Sequence, residues 1–378
     1  MKTLLELKKD WEKEWIGMPD FEMKDLQSWQ SIVVHFMNSD DREAFSKVIG
    51  QKITPKTRSI WYPKAKIGHF AGKSWISRLP HHQTVPRYPI YIPSKGRWKS
   101  RKTARSLDAI GIPYHLVVEP QEYDNYAAVV DPSKILTLPK EGYGGGCSIP
   151  ARNWIWNHAR KRGVERHWVI DDNIEGFFRL TNNLKVPMGD GIGFRAAENF
   201  TDRYRNVAMS GFNYFMFAPR KSGDIEPYSQ NTRVYSCILL SNTARDKEGK
   251  LYAWRGRYNE DTDLSLRILK DGWCTILFNA FLAFKSTTMT MEGGNTESLY
   301  QIKDGRKKMA ESLMEQHPGL VQIAWKWGRW QHHVDYSGFK QRLDLKPDID
   351  REKLKNNYEI MLKVVETKKE KAKKKKAA

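Results

Sequence analysis

The sequence predicts an α/β protein built on a Rossmann-type sheet, with a small N-terminal α/β module and a helical, basic C-terminal extension. Three observations predict it. From Tyr88 onward, short β-branched strands alternate with segments of helical period. One of those strands runs straight into Asp171-Asp-Asn173, and a later helix opens on Glu260, Asp261 and Asp263. With 378 residues, 40% apolar and 29% charged, the chain has the composition of a folded domain and the length for one large unit plus a smaller one.

Residues 1–80 read as the accessory module. Ser31–Phe36 is apolar and β-branched, which predicts a strand. Ser39–Ile49 offers an N-cap and apolar residues at helical spacing, closed by Gly50, and Thr57–Tyr62 predicts a second strand. Residues 63–87 scatter Gly, Pro and His as a linker does. Nothing in the module forms a catalytic constellation.

Residues 81–303 are the expected main domain. Tyr88–Ile92 is a short strand, Pro93–Arg97 a loop, and a helix passes through Ala104 and Leu107 before Gly111 and the strand Tyr114–Val118. That βαβ unit implies parallel strands, with ligands beyond their carboxyl ends. Ser94, Lys95, Arg97 and Glu119 all lie at such ends. Ile135–Leu138, the glycine-rich Gly142–Cys147 and a helix from Pro150 to Arg162 follow, then the strand His167–Ile170. Arg152 falls in the first turn of its helix, where a cation gains nothing from the helix dipole. Its placement suits an anion better than it suits the helix.

Residues 304–378 are the expected C-terminal extension. Leu354, Tyr358, Met361, Leu362 and Val365 recur at helical spacing, and a lysine-rich tail follows. Trp325, Trp327 and Trp330, with Lys326 and Arg329, form an aromatic-cationic cluster that reads as the packing face of a helix, with DNA contact as the alternative.

Charge and composition narrow the function. The net charge is +20, of which the tail from Met361 carries +6, so the body is itself basic. A basic body suits a polyanion, with phosphate contacts giving salt-sensitive affinity. Cys147, Cys237 and Cys274 form neither a disulfide framework nor a metal-site spacing. The N-terminus lacks the apolar stretch of a signal peptide, and Trp273–Phe284 is too short to span a bilayer. A cytoplasmic protein is expected.

A buried strand ending in two carboxylates and an amide requires charge compensation. A hard divalent cation, Mg²⁺ or Mn²⁺, is the simplest, since it accepts Asp171, Asp172 and Asn173 while also binding a diphosphate. The second acidic cluster supplies a carboxylate to deprotonate a hydroxyl nucleophile. Just before it, Trp254, Arg255, Arg257 and Tyr258 interleave aromatic and cationic groups suited to a nucleobase.

In this order, Tyr91-Ile-Pro-Ser-Lys-Gly-Arg97, Pro150-Ala-Arg-Asn153, Trp168-Val-Ile-Asp-Asp-Asn173 and Tyr258-Asn-Glu-Asp-Thr-Asp263 resemble the TET/JBP-associated glycosyltransferases, of the GT-A class. The resemblance covers about Tyr88 to Tyr300. It implies a GT-A-like fold and transfer of a sugar from a nucleotide-sugar, expected to be a UDP-sugar, to 5-hydroxymethylcytosine in phage DNA within the host cytoplasm. It implies that Ser94, Lys95, Arg97 and Glu119 line the nucleotide pocket and that Arg152 meets the diphosphate. It further implies that Asp171, Asp172 and Asn173 hold a divalent ion, and that Asp261 is the base with Glu260 in support. Asn173 departs from the Asp-x-Asp pattern of many GT-A enzymes. Lys285 is a further candidate for the leaving diphosphate. A base opposite the leaving group gives inversion. Competing readings are a GT-A transferase with a non-DNA acceptor, a two-metal nuclease built on Asp171, Asp172, Glu260 and Asp261, and a non-catalytic DNA-binding protein.

Overall fold

The computed structural model describes residues 10–64, 72–143, 147–286, 305–326 and 328–365. Before the main sheet come α1 (Asp10–Glu14), α2 (Ser39–Val48), strand β1 (Lys73–Ser77) and α3 (His81–Thr84). The first half of the domain then runs β2 (Ile90–Pro93), α4 (Lys102–Ala109), β3 (His115–Val118), α5 (Tyr123–Ala127), β4 (Ile135–Thr137), α6 (Ile149–Lys161) and β5 (Arg166–Ile170). These four strands pair in parallel in the order β4-β3-β2-β5. Strand order therefore reverses between β2 and β5, which opens a crevice beyond their carboxyl ends.

The second half is mixed. It contains β6 (Ile174–Thr181), β7 (Leu184–Pro187), α7 (Ile192–Asp202), β8 (Val207–Tyr214), β9 (Tyr228–Gln230), β10 (Cys237–Ser241), α8 (Glu260–Lys270) and β11 (Cys274–Lys285). β10 joins the halves by pairing antiparallel with both β5 and β8, and β11 lies between β8, in parallel, and β6. Among the described residues this makes a ten-stranded sheet. It is an α/β fold on a mixed sheet.

Side-chain alternation along the strands fills two cores, one on each face of the sheet. Ile90, Ile92, Trp168, Ile170, Cys237 and Leu239 face one, with Leu107 of α4 and Phe194 and Phe200 of α7. Tyr91, Val169, Ile238 and Leu240 face the other, with Ile155 and Trp156 of α6 and Leu264 and Ile268 of α8. Near-continuous apolar strands follow from cover on both faces.

The chain termini depart from the sequence-based expectations. Among the described residues, 31–36 and 57–62 form no strand, and only the helix expected at Ser39–Ile49 is present, capped by Asn38 Oδ1 on the N–H groups of Asp40 and Asp41 at 2.9 Å. The β-branched run has no strand beside it to satisfy its backbone, so Ile32 and Val33 stay exposed. The first described residues pack into the main domain. Trp15, Met18 and Phe21 are buried in the main core, and Glu14 bonds Arg351 at 2.7 Å and Tyr204 at 2.8 Å.

At the other end, α9 (Gly305–Gln316) is a helix, β12 (Val321–Lys326) and β13 (Arg329–Val334) form a hairpin, and β14 (Ile360–Val364) pairs antiparallel with β1. The residues expected as a tryptophan-lined helix are thus strands, with the Trp325 and Trp330 rings 5.2 Å apart, while Trp327 lies outside the described residues. The amphipathic helix expected from Leu354 to Val365 is replaced because Tyr358 is buried against Met18 and the following residues take up the edge offered by Lys73–Ser77. The lysine tail beyond 365 and the glycines at 144–146 also lie outside the described residues.

Candidate active site

Two acidic clusters 89 residues apart in sequence converge on one guanidinium. Asp171 leaves the carboxyl end of β5, and Glu260 opens α8. Arg152, in the first turn of α6, donates from Nη2 to Asp171 Oδ1 at 2.6 Å, and its Nε lies 3.7 Å from Glu260 Oε1. Its Nε and Nη1 are buried and make no hydrogen bond, and its guanidinium lies 4.8 Å from the Trp254 ring. Buried donors without acceptors are costly, so this arginine is set up for an anion brought from outside.

Asp171 is held by more than Arg152. Its Oδ2 accepts from Lys285 Nζ at 2.8 Å and from Ser236 Oγ at 2.6 Å, and the same lysine reaches Ser236 Oγ at 2.9 Å and the Tyr214 hydroxyl at 3.2 Å. Burial opposes its charge, but Lys285 and Arg152 outweigh this and hold the Asp171 carboxyl well below the usual carboxylate range. Ser236 has φ +59°, and the Cys237 N–H closes on the Tyr235 carbonyl at 2.6 Å. A non-glycine residue in that region is strained, and such strain concentrates at functional sites. Gly211 on β8 makes it possible: a Cβ there would lie 2.2 Å from the Cys237 carbonyl oxygen.

Asp172 faces the nucleotide-side loop. It forms a salt bridge with Arg97, and its Oδ2 accepts from Ser94 Oγ at 2.8 Å, while Tyr126 joins Ser94 at 2.7 Å and the Arg97 N–H at 3.1 Å. Burial pushes the Asp172 carboxyl up, against the pull of Arg97 and Ser94. Lys95 bonds Glu119 at 3.2 Å, and Gly96 N–H donates to Glu122 at 2.8 Å. Ser94, Lys95, Arg97, Glu119, Asp171 and Asp172 thus lie at or just beyond the carboxyl ends of β2, β3 and β5, while Lys285 of β11 and Arg152 of α6 reach Asp171 and Glu260 of α8 reaches Arg152.

Glu260 accepts from Ser148 Oγ at 3.1 Å, and burial pushes its carboxyl up, with Arg152 opposing and Asp261 adding to the rise. Asp261 Oδ1 accepts from the Thr262 N–H at 2.7 Å and its hydroxyl at 3.2 Å, which fixes it in the first turn of α8. Asp263 belongs to a different network. It is fully buried and bonds Arg255 at 2.9 Å, Arg267 at 2.9 Å and His317 Nε2 at 2.9 Å, so this acid anchors α8 to α9.

The four residues expected to meet the acceptor are dispersed. Trp254 is only 2% exposed, packed against Trp156 and fixed at its backbone by Asn153 at 2.8 and 2.9 Å. Arg255 is engaged with Asp263. Arg257 is exposed, with its guanidinium 5.7 Å from the half-buried Tyr258 ring. Sequence reasoning missed Tyr214 and Ser236, which bond Lys285 and Asp171. Nothing in their immediate sequence marks them, because their placement depends on β8, β10 and β11 lying side by side.

A divalent ion on Asp171, Asp172 and Asn173 does not fit these side chains as they are arranged. Both Asp171 oxygens are taken by Arg152, Lys285 and Ser236, and both Asp172 oxygens by Arg97 and Ser94. Asn173 Oδ1 alone is buried without a partner. Among the described residues no three His, Cys, Asp or Glu side chains converge at metal-binding distance. In this arrangement Lys285, Arg152 and Arg97 supply the positive charge beside the two carboxylates.

The family model for TET-Associated Glycosyltransferase matches residues 88–294, which contain all these acids and their cationic partners. No curated protein matches the chain. The crystal structure of S. aureus TarS 1-349 superposes with a TM-score of 0.33 and 11% sequence identity, over 60% of this chain and 65% of that one, so the chain spans less than two thirds of its length.

Proposed function

The chain belongs to the TET-associated glycosyltransferase family, and from that membership we propose that it transfers a sugar from a nucleotide-sugar, a UDP-sugar in the simplest case, to the hydroxyl of 5-hydroxymethylcytosine in DNA. The observation that carries this reading is Arg152, which ties the two acidic clusters together and keeps two buried donors without acceptors. A diphosphate is the ligand whose charge and oxygen geometry meet that demand. The body charge and the family support DNA as the acceptor.

In this mechanism Ser94, Lys95, Arg97 and Glu119 hold the nucleotide end of the donor. Asp261 takes the proton of the acceptor hydroxyl as its oxygen bonds to the anomeric carbon. The bond from that carbon to the diphosphate breaks in the same event, through an oxocarbenium-like state. Arg152 and Lys285 neutralise the departing charge, a role for which their positions beside Asp171 prepare them without reorganisation. Attack opposite the leaving group inverts the sugar. Asp171, Asp172 and Glu260 are then positioning residues that fix these cations. The divalent ion is not part of this reading, because its ligand positions are already filled.

Incubation of the protein with hydroxymethylated DNA and a panel of labelled nucleotide-sugars, followed by mass spectrometry of the released nucleosides, tests the reading. A sugar adduct on 5-hydroxymethylcytosine is the expected product. Label on a saccharide or protein acceptor alone removes DNA from the proposal, and strand nicking without label moves the protein to the nuclease class.

A further inference from the structure

With Trp254 buried and Arg255 engaged, the acceptor base needs another surface beside Asp261. Such a surface lies where β8 ends and β10 begins. Tyr214 and Tyr235 pack ring to ring at 4.3 Å and 61°, and Phe217 lies 5.3 Å from Tyr214 and 6.2 Å from Tyr235. The turn carrying Phe217 is fixed by its own backbone: the Phe217 N–H bonds the Tyr214 carbonyl at 3.0 Å, and the Phe215 N–H bonds Ala283 of β11 at 2.9 Å. Phe217 is nevertheless 60% exposed, and its neighbour Met216 72%. An ordered turn that holds two large apolar side chains in water over the buried Tyr235 and half-buried Tyr214 is a feature that packing alone does not require.

The inner end of this aromatic row touches the reaction site. The Tyr214 hydroxyl lies 2.5 Å from Ser236 Oγ and 3.2 Å from Lys285 Nζ, both of which bond Asp171. On its flank the Arg233 guanidinium lies 4.5 Å from the Tyr235 ring, and Arg233 Nη1 is 3.5 Å from Thr262 Oγ1, which in turn bonds Asp261. The row therefore leads from solvent to the two residues proposed to act on the donor and on the acceptor hydroxyl.

We propose that Phe217, with Met216 beside it and Tyr214 and Tyr235 beneath, is the platform on which the acceptor nucleobase stacks after leaving the helix, with Arg233 as the cation at its edge. The inference rests on DNA being the acceptor. A flat, polarisable ring is the ligand an exposed aromatic on such a base takes best, and extrusion of the base brings its C5 substituent away from the groove toward Asp261.

The test compares wild type with Phe217→Ala and Phe217→Trp at fixed saturating donor, varying a hydroxymethylated duplex. Wild-type protein must first put sugar on the DNA; if it does not, the function proposed above fails, and the platform with it. Given that activity, Phe217→Ala raises KM for DNA by about 5- to 150-fold, the loss of one base-aromatic stack, and leaves KM for the donor unchanged. Phe217→Trp restores the DNA KM, which a purely structural role would not allow for so exposed a residue. A 2-aminopurine placed beside the target base brightens on binding to wild type and Phe217→Trp and stays dim with Phe217→Ala. An unchanged DNA KM in Phe217→Ala overturns the proposal. So does a rise confined to Trp325→Ala or Trp330→Ala, which would move the platform to the β12–β13 hairpin.

Discussion

Replacing Lys285 with Met tests whether side-chain cations do the electrostatic work of the site. The Lys285 ammonium lies 2.8 Å from Asp171 Oδ2, and at an effective dielectric of about 20 a unit pair at that separation interacts by about 6 kcal/mol. The net loss is smaller. Both side chains keep about a fifth of their surface exposed, and Arg152 still pairs with Asp171 at 2.6 Å. Lys285→Met therefore costs about 2–3 kcal/mol of stability, below the roughly 3–5 kcal/mol of a fully orphaned buried charge. Activity suffers more. Removing one preorganised group that stabilises a developing charge lowers kcat by about 10²- to 10³-fold, read as single-turnover transfer of labelled sugar at saturating donor and DNA. All reactions are run in EDTA. Wild type turns over under those conditions, Lys285→Met loses at least about 100-fold, and Lys285→Arg falls between them, because its fork does not reproduce three bonds to Asp171, Tyr214 and Ser236. Wild-type activity that vanishes in EDTA, returns with Mn²⁺ and is indifferent to Lys285→Met would refute the reasoning.

Further predictions follow from individual contacts. Asp261→Asn lowers kcat for transfer by about 10²- to 10⁴-fold while donor affinity, measured by calorimetry, stays unchanged. Gly211→Ala destabilises by the upper end of the roughly 1–3 kcal/mol of overpacking, since its Cβ would meet the Cys237 carbonyl at 2.2 Å; unaltered thermal melting would show that β8 and β10 can separate freely. Trp15→Ala costs about 3–5 kcal/mol and leaves one denaturant transition, whereas two transitions would make the N-terminal residues a separate unit. Burial opposes the Asp263 charge, but His317, Arg255 and Arg267 outweigh this and lower its carboxyl to about 2, from an unfolded value near 3.9. Its contribution of about 2–3 kcal/mol is thus present above pH about 4 and lost as the pH falls toward 2. Asp263→Asn should flatten the acid limb of a stability-pH curve, and an unchanged limb would assign it to other groups.

The parts of the fold that could be read from sequence are those with local causes. β2, α4, β3, β5 and α8 follow from apolar period and from the glycines and acids that bound them, and the two acidic clusters lie at the ends of β5 and α8 where the sequence puts them. The failures share a different cause. Ser31–Phe36 has the composition of a strand, but a strand exists only with a partner, and the sequence cannot say that none arrives. Leu354–Val365 has a helical period, yet an open edge at Lys73–Ser77 and a core position for Tyr358 decide its conformation. The need for positive charge beside Asp171 was legible, but its source was not, because Arg152 and Lys285 lie 19 and 114 residues away along the chain. Trp254 shows the same limit: aromatic and cationic residues in a row look alike whether they face a ligand or the inside of a helix pair.

The pairing of β1 with β14 also bears on how the molecule is made. Ser77 is stitched to Tyr358, 281 positions later, so this small two-stranded sheet is sewn together only after almost everything between has been threaded off the ribosome. Contacts that distant are slow to find and leave an open edge in the interim. A nascent chain halted anywhere short of Ile360 would display Lys73–Ser77 as a bare template for neighbours, which ties clean production of this protein to uninterrupted synthesis.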